Sequence, residues 1–370
     1  MNVRSRAGRP ATIADVAARA GVSPATVSRV MNGTRTVDEE MTVRVRTAAS
    51  ELNYSASPLA RSLVLGRTNT VAVVVPDLGN PTFHGVLRGL SRTAGQHGYH
   101  ALVADSAESV EDERILARQT RRRCDGLVLV APRMPESDLT TLLGELQPVV
   151  VVNRVPEGDR ATPVVTTDYE VGLTALLQVL HDDGHRSLMY LAGAVRSASN
   201  SRRLAALAAF DTRHPEVVIR HRACGVNFAE GHQAAEAVIS SGVTAVVAFN
   251  DLVAMGLISG LTERGVAVPD QVSVVGFDDI PFARYVTPPL TTAAVPVAEL
   301  GEQAWARMWD LLGGRVPAPD LVVTPHLERR GSTGPARSVA ADRTGPPGQP
   351  ADPVETTDVE TTDVETTNGH

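Results

Sequence analysis

Six side chains able to hydrogen-bond a small molecule stand at the ends of short apolar runs. Asn153 and Arg154 follow "PVVVV", Asn250 and Asp251 follow "TAVVAF", and Asp278 and Asp279 follow "VSVVGF", while Arg203 opens a helical stretch after "LAG". A carboxylate accepts, a guanidinium donates and an amide does both, so this set suits a ligand whose hydroxyls also donate and accept. Asp251 and Asp279 read better as helix N-caps than as ligand groups. Nothing beside these residues suggests covalent chemistry. The chain has no GxxxxGK[ST], GxGxxG or GxSxG pattern, and "HDDGH" at 181–185 reads as a helix ending at Gly184 rather than as a metal pair. No enzyme, cofactor or metal site is expected. Cys124 and Cys224 lie far apart without paired spacing, which predicts buried free thiols.

The elements that would position these groups come from the apolar pattern. From Val71 onward, "TVAVVVPD", "HALVAD", "DGLVLV" and "PVVVVNR" form one series of short runs, and "SLMYLAG", "VVIRHRA", "TAVVAFND" and "VSVVGFDD" form a second. Fully apolar runs of this length, separated by helical stretches, predict buried parallel strands with crossover helices, hence two doubly wound halves. After "PPLTT" a helix carrying Leu300, Ala304, Trp305, Met308 and Leu311 precedes a last strand, "DLVVTPHLERR", expected to cross back to the first half. Ligands of such sheets bind at the carboxyl ends of the strands, where the polar residues stand.

The first fifty residues differ. Thr12 with Asp15 makes a capping-type start, Gly21 a stop, Ser23-Pro24 a second start, and Val27 and Val30 an inward side that ends at Asn32-Gly33. A third helix from Asp38, with Met41, Val45, Ala48 and Leu52 inward, closes a small core. Charge follows the same division. Residues 1–67 hold ten Arg against five acids in a chain of net charge -7, and residues 333–370 hold two Arg against seven acids. A basic head and an acidic tail imply that only the head meets a polyanion. The tail ends in a polar five-residue repeat with no face to bury, so disorder is expected. No apolar stretch approaches a membrane span, and "MNVRSRAGRP" leads into no apolar region, so the expected location is the cytoplasm.

"TIADVAARAGVSPATVSRVMNG", "ARSL", "GHR.L.YLAG", "AVVAFND..A.G", "VSVVGFDD" and "PPLTT", in this order over residues 10 to about 332, together resemble the LacI/GalR-type bacterial transcription regulators. The resemblance implies an N-terminal all-α helix-turn-helix domain (1–55), a hinge helix and linker (56–68), and an α/β body resembling periplasmic binding proteins (69–332). Its two doubly wound parallel-sheet lobes are placed at about 69–164 plus 293–330 and about 165–292. The acidic tail, 333–370, lies outside it. The implied partners are a pseudo-palindromic operator in double-stranded DNA, a second copy of the chain, and a small-molecule effector, a carbohydrate before a purine or nucleoside; a sugar-transport receptor is the rival from another class. In a helix-turn-helix the second helix presents its first turn to base edges. There Arg29 suits guanine, Pro24 and Ala25 suit apolar contact, Ser28 is within reach, and Thr12, Ser23, Thr26 and Asn32 suit phosphates. By resemblance Leu63 wedges into the minor groove, although the usual Tyr-x-Pro-Asn before it is "YSAS" here, with Pro at 58. The resemblance also implies that Asp278, Asn250 and Arg203 bind effector polar groups, that Asn153 and Arg154 face the same cleft, and that Phe83 and Phe228 wall it.

Overall fold

The computed structural model describes residues 11–31, 38–54, 66–158 and 161–337. Asn32, Gly33, Pro58, Leu63 and the tail repeat therefore lie outside the described residues.

In the head, α1 (Ile13–Ala20) opens on a reciprocal capping box. The Thr12 backbone N–H donates to Asp15 Oδ2 at 2.8 Å, and the Asp15 N–H donates to Thr12 Oγ1 at 3.4 Å. Gly21 ends the helix at φ +66°, a left-handed conformation that glycine adopts without strain, and Arg44 donates to the freed Ala20 carbonyl at 2.6 Å. Pro24 starts α2 (Pro24–Met31) and Asp38 caps α3 (Glu39–Glu51). Val16, Val27 and Val45 are fully buried where the helices meet. Met41 and Leu52, expected inside, are only half-buried, and Ala49 joins the core instead.

The body contains two six-stranded sheets. The first is built from β1 (Thr70–Val75), β2 (His100–Asp105), β3 (Gly126–Val130), β4 (Val149–Val152) and β5 (Val164–Thr167), with helices α4 (Pro81–Gln96), α5 (Val110–Arg121) and α6 (Glu136–Glu145) between them. After α7 (Tyr169–Asp182) the chain builds the second sheet: β6 (Ser187–Ala192), α8 (Ala198–Arg213), β7 (Val218–Ala223), α9 (Phe228–Gln233), α10 (Ala235–Ser241), β8 (Ala245–Ala248), α11 (Asp251–Glu263), β9 (Ser273–Asp278) and β10 (Thr291–Ala294). It returns through α12 (Val297–Leu312) to β11 (Leu321–Val323), and then crosses once more to β12 (His326–Glu328). The strand orders are β11-β5-β4-β3-β1-β2 and β12-β10-β9-β8-β6-β7. Every described ladder is parallel except β10 with β12. Central strands such as "GLVLV" and "VVVV" are buried throughout, as strands covered on both faces must be.

Three features depart from the sequence reading. The expected final strand is two short ones, one in each sheet, separated by Thr324 and Pro325; proline has no N–H to give a ladder. Strands β5 and β10, "VVTT" and "TTAA", were not foreseen, because four residues with half their number threonine make no apolar run. The lobe limits move accordingly: β5 still belongs to the first sheet, and β10 and β12 belong to the second. Among the described residues no helix is long and apolar enough to cross a membrane. Both cysteines are free, but Cys224 is only half-buried.

Helices α4 and α12 cross at backbone contact. A Cβ on Gly89 would lie 2.0 Å from the Ala298 carbonyl oxygen, and one on Gly301 would lie 2.0 Å from that of Val86. Gly89→Ala should therefore cost about 1–3 kcal/mol by forcing the helices apart. Gly95→Ala in the same helix meets open space and should stabilise by about 0.5–1 kcal/mol. Denaturant unfolding of the two variants measures the difference.

Candidate functional site

The outer face of α2 presents Pro24, Ala25 and Arg29 to solvent, with Val27 and Val30 turned inward. Ser23 and Thr26 are engaged with each other: Ser23 Oγ accepts the Thr26 N–H at 3.2 Å, and their hydroxyls lie 2.9 Å apart. Thr12 serves the α1 capping box, and Ser28 is half-buried. The result is a short exposed surface of two apolar residues and one guanidinium on a helix held by the small core. Asn32 and Leu63 fall outside the described residues.

Between the lobes the strand ends converge on a cavity of about 40 Å³, room for a few ordered waters. Phe83, Asn153, Arg203, Asn250 and Asp278, all named from the sequence, line it. Asp278 ends β9 at φ +112° and Asn153 follows β4 at φ +58°, so both leave their strands through left-handed backbone. Arg203, only 2% exposed, lies in α8 with its Cζ 4.1 Å from the Phe277 ring centroid and 4.6 Å from those of Tyr169 and Phe249. Its Nε and Nη1 are buried and have no hydrogen-bond partner among the described residues. Asp278 supplies the opposing charge, and its Oδ2 accepts from Thr82 Oγ1 at 2.8 Å. Thr82 belongs to α4 of the first lobe, so this bond joins the lobes across the cleft. Burial pushes the Asp278 carboxyl up to about 6, against the lowering effects of Arg203 and the Thr82 hydroxyl.

The amides are partly committed. Asn250 caps α11 by accepting the Val253 N–H at 2.9 Å and donates to the Val226 carbonyl at 2.8 Å. Asn153 Oδ1 accepts from the Thr167 N–H and Oγ1, both at 3.1 Å.

Phe228 does not line this cavity, and Arg154 lines instead a second one, of about 290 Å³, that shares Asn153, Thr167 and Tyr169 with it. Arg154 turns to the start of α6, donating to the Pro132 and Met134 carbonyls at 3.0 and 2.6 Å and to Glu136 at 2.8 Å. It closes a loop, because three acceptors there satisfy its fork. Phe228 is the first residue of α9 and 43% exposed.

Neither Asp251 nor Asp279 is an N-cap. Fully buried Asp251 is the first residue of α11; its carboxylate accepts the Ile280 N–H at 2.8 Å and the Thr292 hydroxyl at 2.6 Å, tying α11 to β10 and to the turn after β9. Asp279 pairs with Arg330 at 2.7 Å. Burial raises Asp251 well above the usual carboxylate range, with Asp278 adding to the shift.

The sequence reading missed Thr82, Tyr169 and Phe249, which also line the cavity, and Arg133, whose guanidinium forks onto Glu108 at 2.7 and 2.9 Å. Thr82 and Tyr169 each follow a capping residue, Asn80 and Asp168, at the start of a helix that begins at the carboxyl end of a strand. That position was the available signal.

Residues 12–57 match the family model described as bacterial regulatory proteins, lacI family, and residues 177–333 match a periplasmic binding protein-like domain. Over 332 residues the chain is 32% identical to the HTH-type transcriptional regulator GalR of Salmonella typhimurium strain LT2, covering 87% of this chain and 96% of that one. The chain belongs to the lacI family. It is thus a DNA-binding transcriptional regulator and not an enzyme. Among solved structures, this lacI-family chain resembles the lac repressor dimer bound to operator and an anti-inducer (26% identity, TM-score 0.79, 88% of this chain and all of that one). It also resembles the transcriptional regulator CelR in complex with cellobiose (27% identity, TM-score 0.65, 87% of this chain and 99% of that one).

Because Asp278 holds its proton more tightly in the folded chain than its ordinary value of 3.8 allows in the unfolded one, the stability that this group contributes is lost as pH rises from about 4 to about 6. Asp278→Asn keeps an acceptor for Thr82 and removes the titration. Its unfolding free energy, measured by denaturant at each pH, should therefore gain on the wild type across that window, by on the order of 1–3 kcal/mol at its upper end, and run parallel to it above pH 7.

Proposed function

We propose that the chain is an effector-responsive repressor: two copies bind a pseudo-palindromic operator through α1 and α2, and a sugar or sugar derivative bound between the lobes releases them. It acts in the cytoplasm, where operator DNA lies. The observation that carries the effector half is Arg203, a buried guanidinium with two unpartnered donors beside a carboxylate acceptor and amides, over aromatic rings. Hydroxyls that both donate and accept match that set, and aromatic faces suit the apolar face of a sugar ring. The relative CelR binds cellobiose, which supports a carbohydrate. The space of about 40 Å³ beside Arg203 is below the roughly 300–1,000 Å³ of small-molecule sites, and the second cavity of about 290 Å³ shares Asn153, Thr167 and Tyr169 with it. A ligand that reaches both Arg203 and Asp278 competes with the Thr82–Asp278 bond between the lobes.

On the DNA side, Pro24 and Ala25 face apolar base edges, Arg29 reads guanine, Ser28 stands beside them, and Thr12, Ser23 and Thr26 position the backbone. An operator selected from random duplexes should bind with a log-log salt slope on the order of -5 to -10. Arg29→Ala should cost about 1–3 kcal/mol and relax preference at one base pair per half-site. Fluorescence anisotropy on the selected duplex and its single-base variants measures both; a uniform loss on every sequence would assign Arg29 to the phosphates. A thermal-shift screen of sugars and nucleosides then identifies the effector class. Arg203→Ala should abolish the shift and operator release while leaving ligand-free operator binding intact.

A further inference from the structure

At the end of the second lobe far from the cleft, three metal-ligating side chains from different elements meet. His181 lies in the last turn of α7, His214 caps the end of α8, and Glu216 sits on the short link into β7. Their ligand atoms lie within 4.8 Å of one another, the one such convergence of histidine, cysteine and carboxylate groups found among the described residues. His181 Nε2 is 2.8 Å and His214 Nδ1 is 3.5 Å from the same oxygen, Glu216 Oε1. In a tetrahedral site with bonds of about 2.0–2.1 Å, neighbouring donors stand about 3.3–3.4 Å apart, so small side-chain rotations suffice to place all three around one ion.

The other nitrogen of His181 supplies an independent observation. Nδ1 is buried, has no hydrogen-bond partner among the described residues, and lies 3.7 Å from the Asp182 carboxylate. When neutral His181 donates from Nε2 to Glu216, Nδ1 presents a lone pair to that carboxylate, which is a mismatch. A metal ion on Nε2 reverses the tautomer: the proton moves to Nδ1 and faces Asp182, the carboxylate–histidine–metal arrangement that orients ligating histidines. The neighbouring cation Arg186 is occupied by the carbonyls of His181 and His185. His185, the other histidine of "HDDGH", points elsewhere, hydrogen-bonded to Thr244, Ser273 and Gly334.

We propose that His181, His214 and Glu216 bind a divalent transition-metal ion of the zinc type, with water completing the shell. Two imidazoles and one carboxylate select such an ion over magnesium or calcium, which take oxygen ligands. The ion fastens the C-terminal ends of α7 and α8 together. Tyr169 and Arg203 stand near the N-terminal ends of the same two helices, at the cleft, so the metal stiffens the pair that presents them.

The full chain, stripped with a chelator, is titrated with zinc chloride by calorimetry and with cobalt(II) by visible absorption, which reports tetrahedral geometry. One equivalent should bind per chain and raise the melting temperature. His214→Gln and Glu216→Gln should each weaken binding roughly ten-fold or more. Glu216 is exposed on a loop, so its variant keeps the test valid if His214→Gln misfolds. No zinc binding to the wild type, or the same affinity in both variants, overturns the assignment. Operator and effector binding do not enter this readout, so it stands or falls apart from the regulatory function.

Discussion

A guanidinium enclosed by protein with two donors unused is costly, because a buried charge needs both a counter-charge and hydrogen-bond partners. Arg203 has the first in Asp278 and lacks part of the second. Three aromatic faces, from Tyr169 on α7, Phe249 after β8 and Phe277 on β9, hold it in position, and cation–π attraction offsets some of the desolvation. The geometry of the cleft follows from this placement. Asp278 leaves β9 in a left-handed conformation to stand beside the cation, and the oxygen it has to spare accepts Thr82 from the opposite lobe. The lobes are thus joined through the same group that a ligand would engage.

That coincidence suits a switch. A ligand shifts the population of two lobe arrangements only through its difference in affinity between them. A hydroxyl that takes the place of Thr82 at Asp278 and fills the free Arg203 donors acts on the lobe contact itself. Three chain crossings, after β5, after β10 and after β11, connect the lobes, and α12 packs at backbone contact against α4, the helix that bears Thr82 and Phe83. The head contributes a rigid element of its own, since the Thr12–Asp15 box and the Arg44 bond fix α1 and orient α2.

Much of this was readable in the chain because its signals are local. Uninterrupted valine runs mark buried parallel strands, Gly21 and Ser23-Pro24 mark the turn between two helices, and polar residues at strand ends mark the cleft. What escaped depends on contacts distant in sequence. Asp251 looks like a helix cap from its position, yet it satisfies Ile280 and Thr292 from the neighbouring strand region. Arg154 stands beside Asn153 in sequence, but its fork finds three acceptors around the start of α6. Threonine-rich β5 and β10 are strands because a sheet edge awaits them, not because of their own pattern. The aromatic seat of Arg203 comes from three elements, and no spacing records it.

The central claim is that the charges of Arg203 and Asp278 are kept for a ligand and are not needed by the fold. Thermal melting of the Arg203→Met/Asp278→Asn double variant, with and without the sugar found by screening, tests it most directly. Removing both charges at similar volume should leave the ligand-free chain melting at or above the wild-type temperature, and the sugar should produce no shift. A double variant that melts well below the wild type and still shifts with the sugar would make the pair a structural element and place the ligand elsewhere.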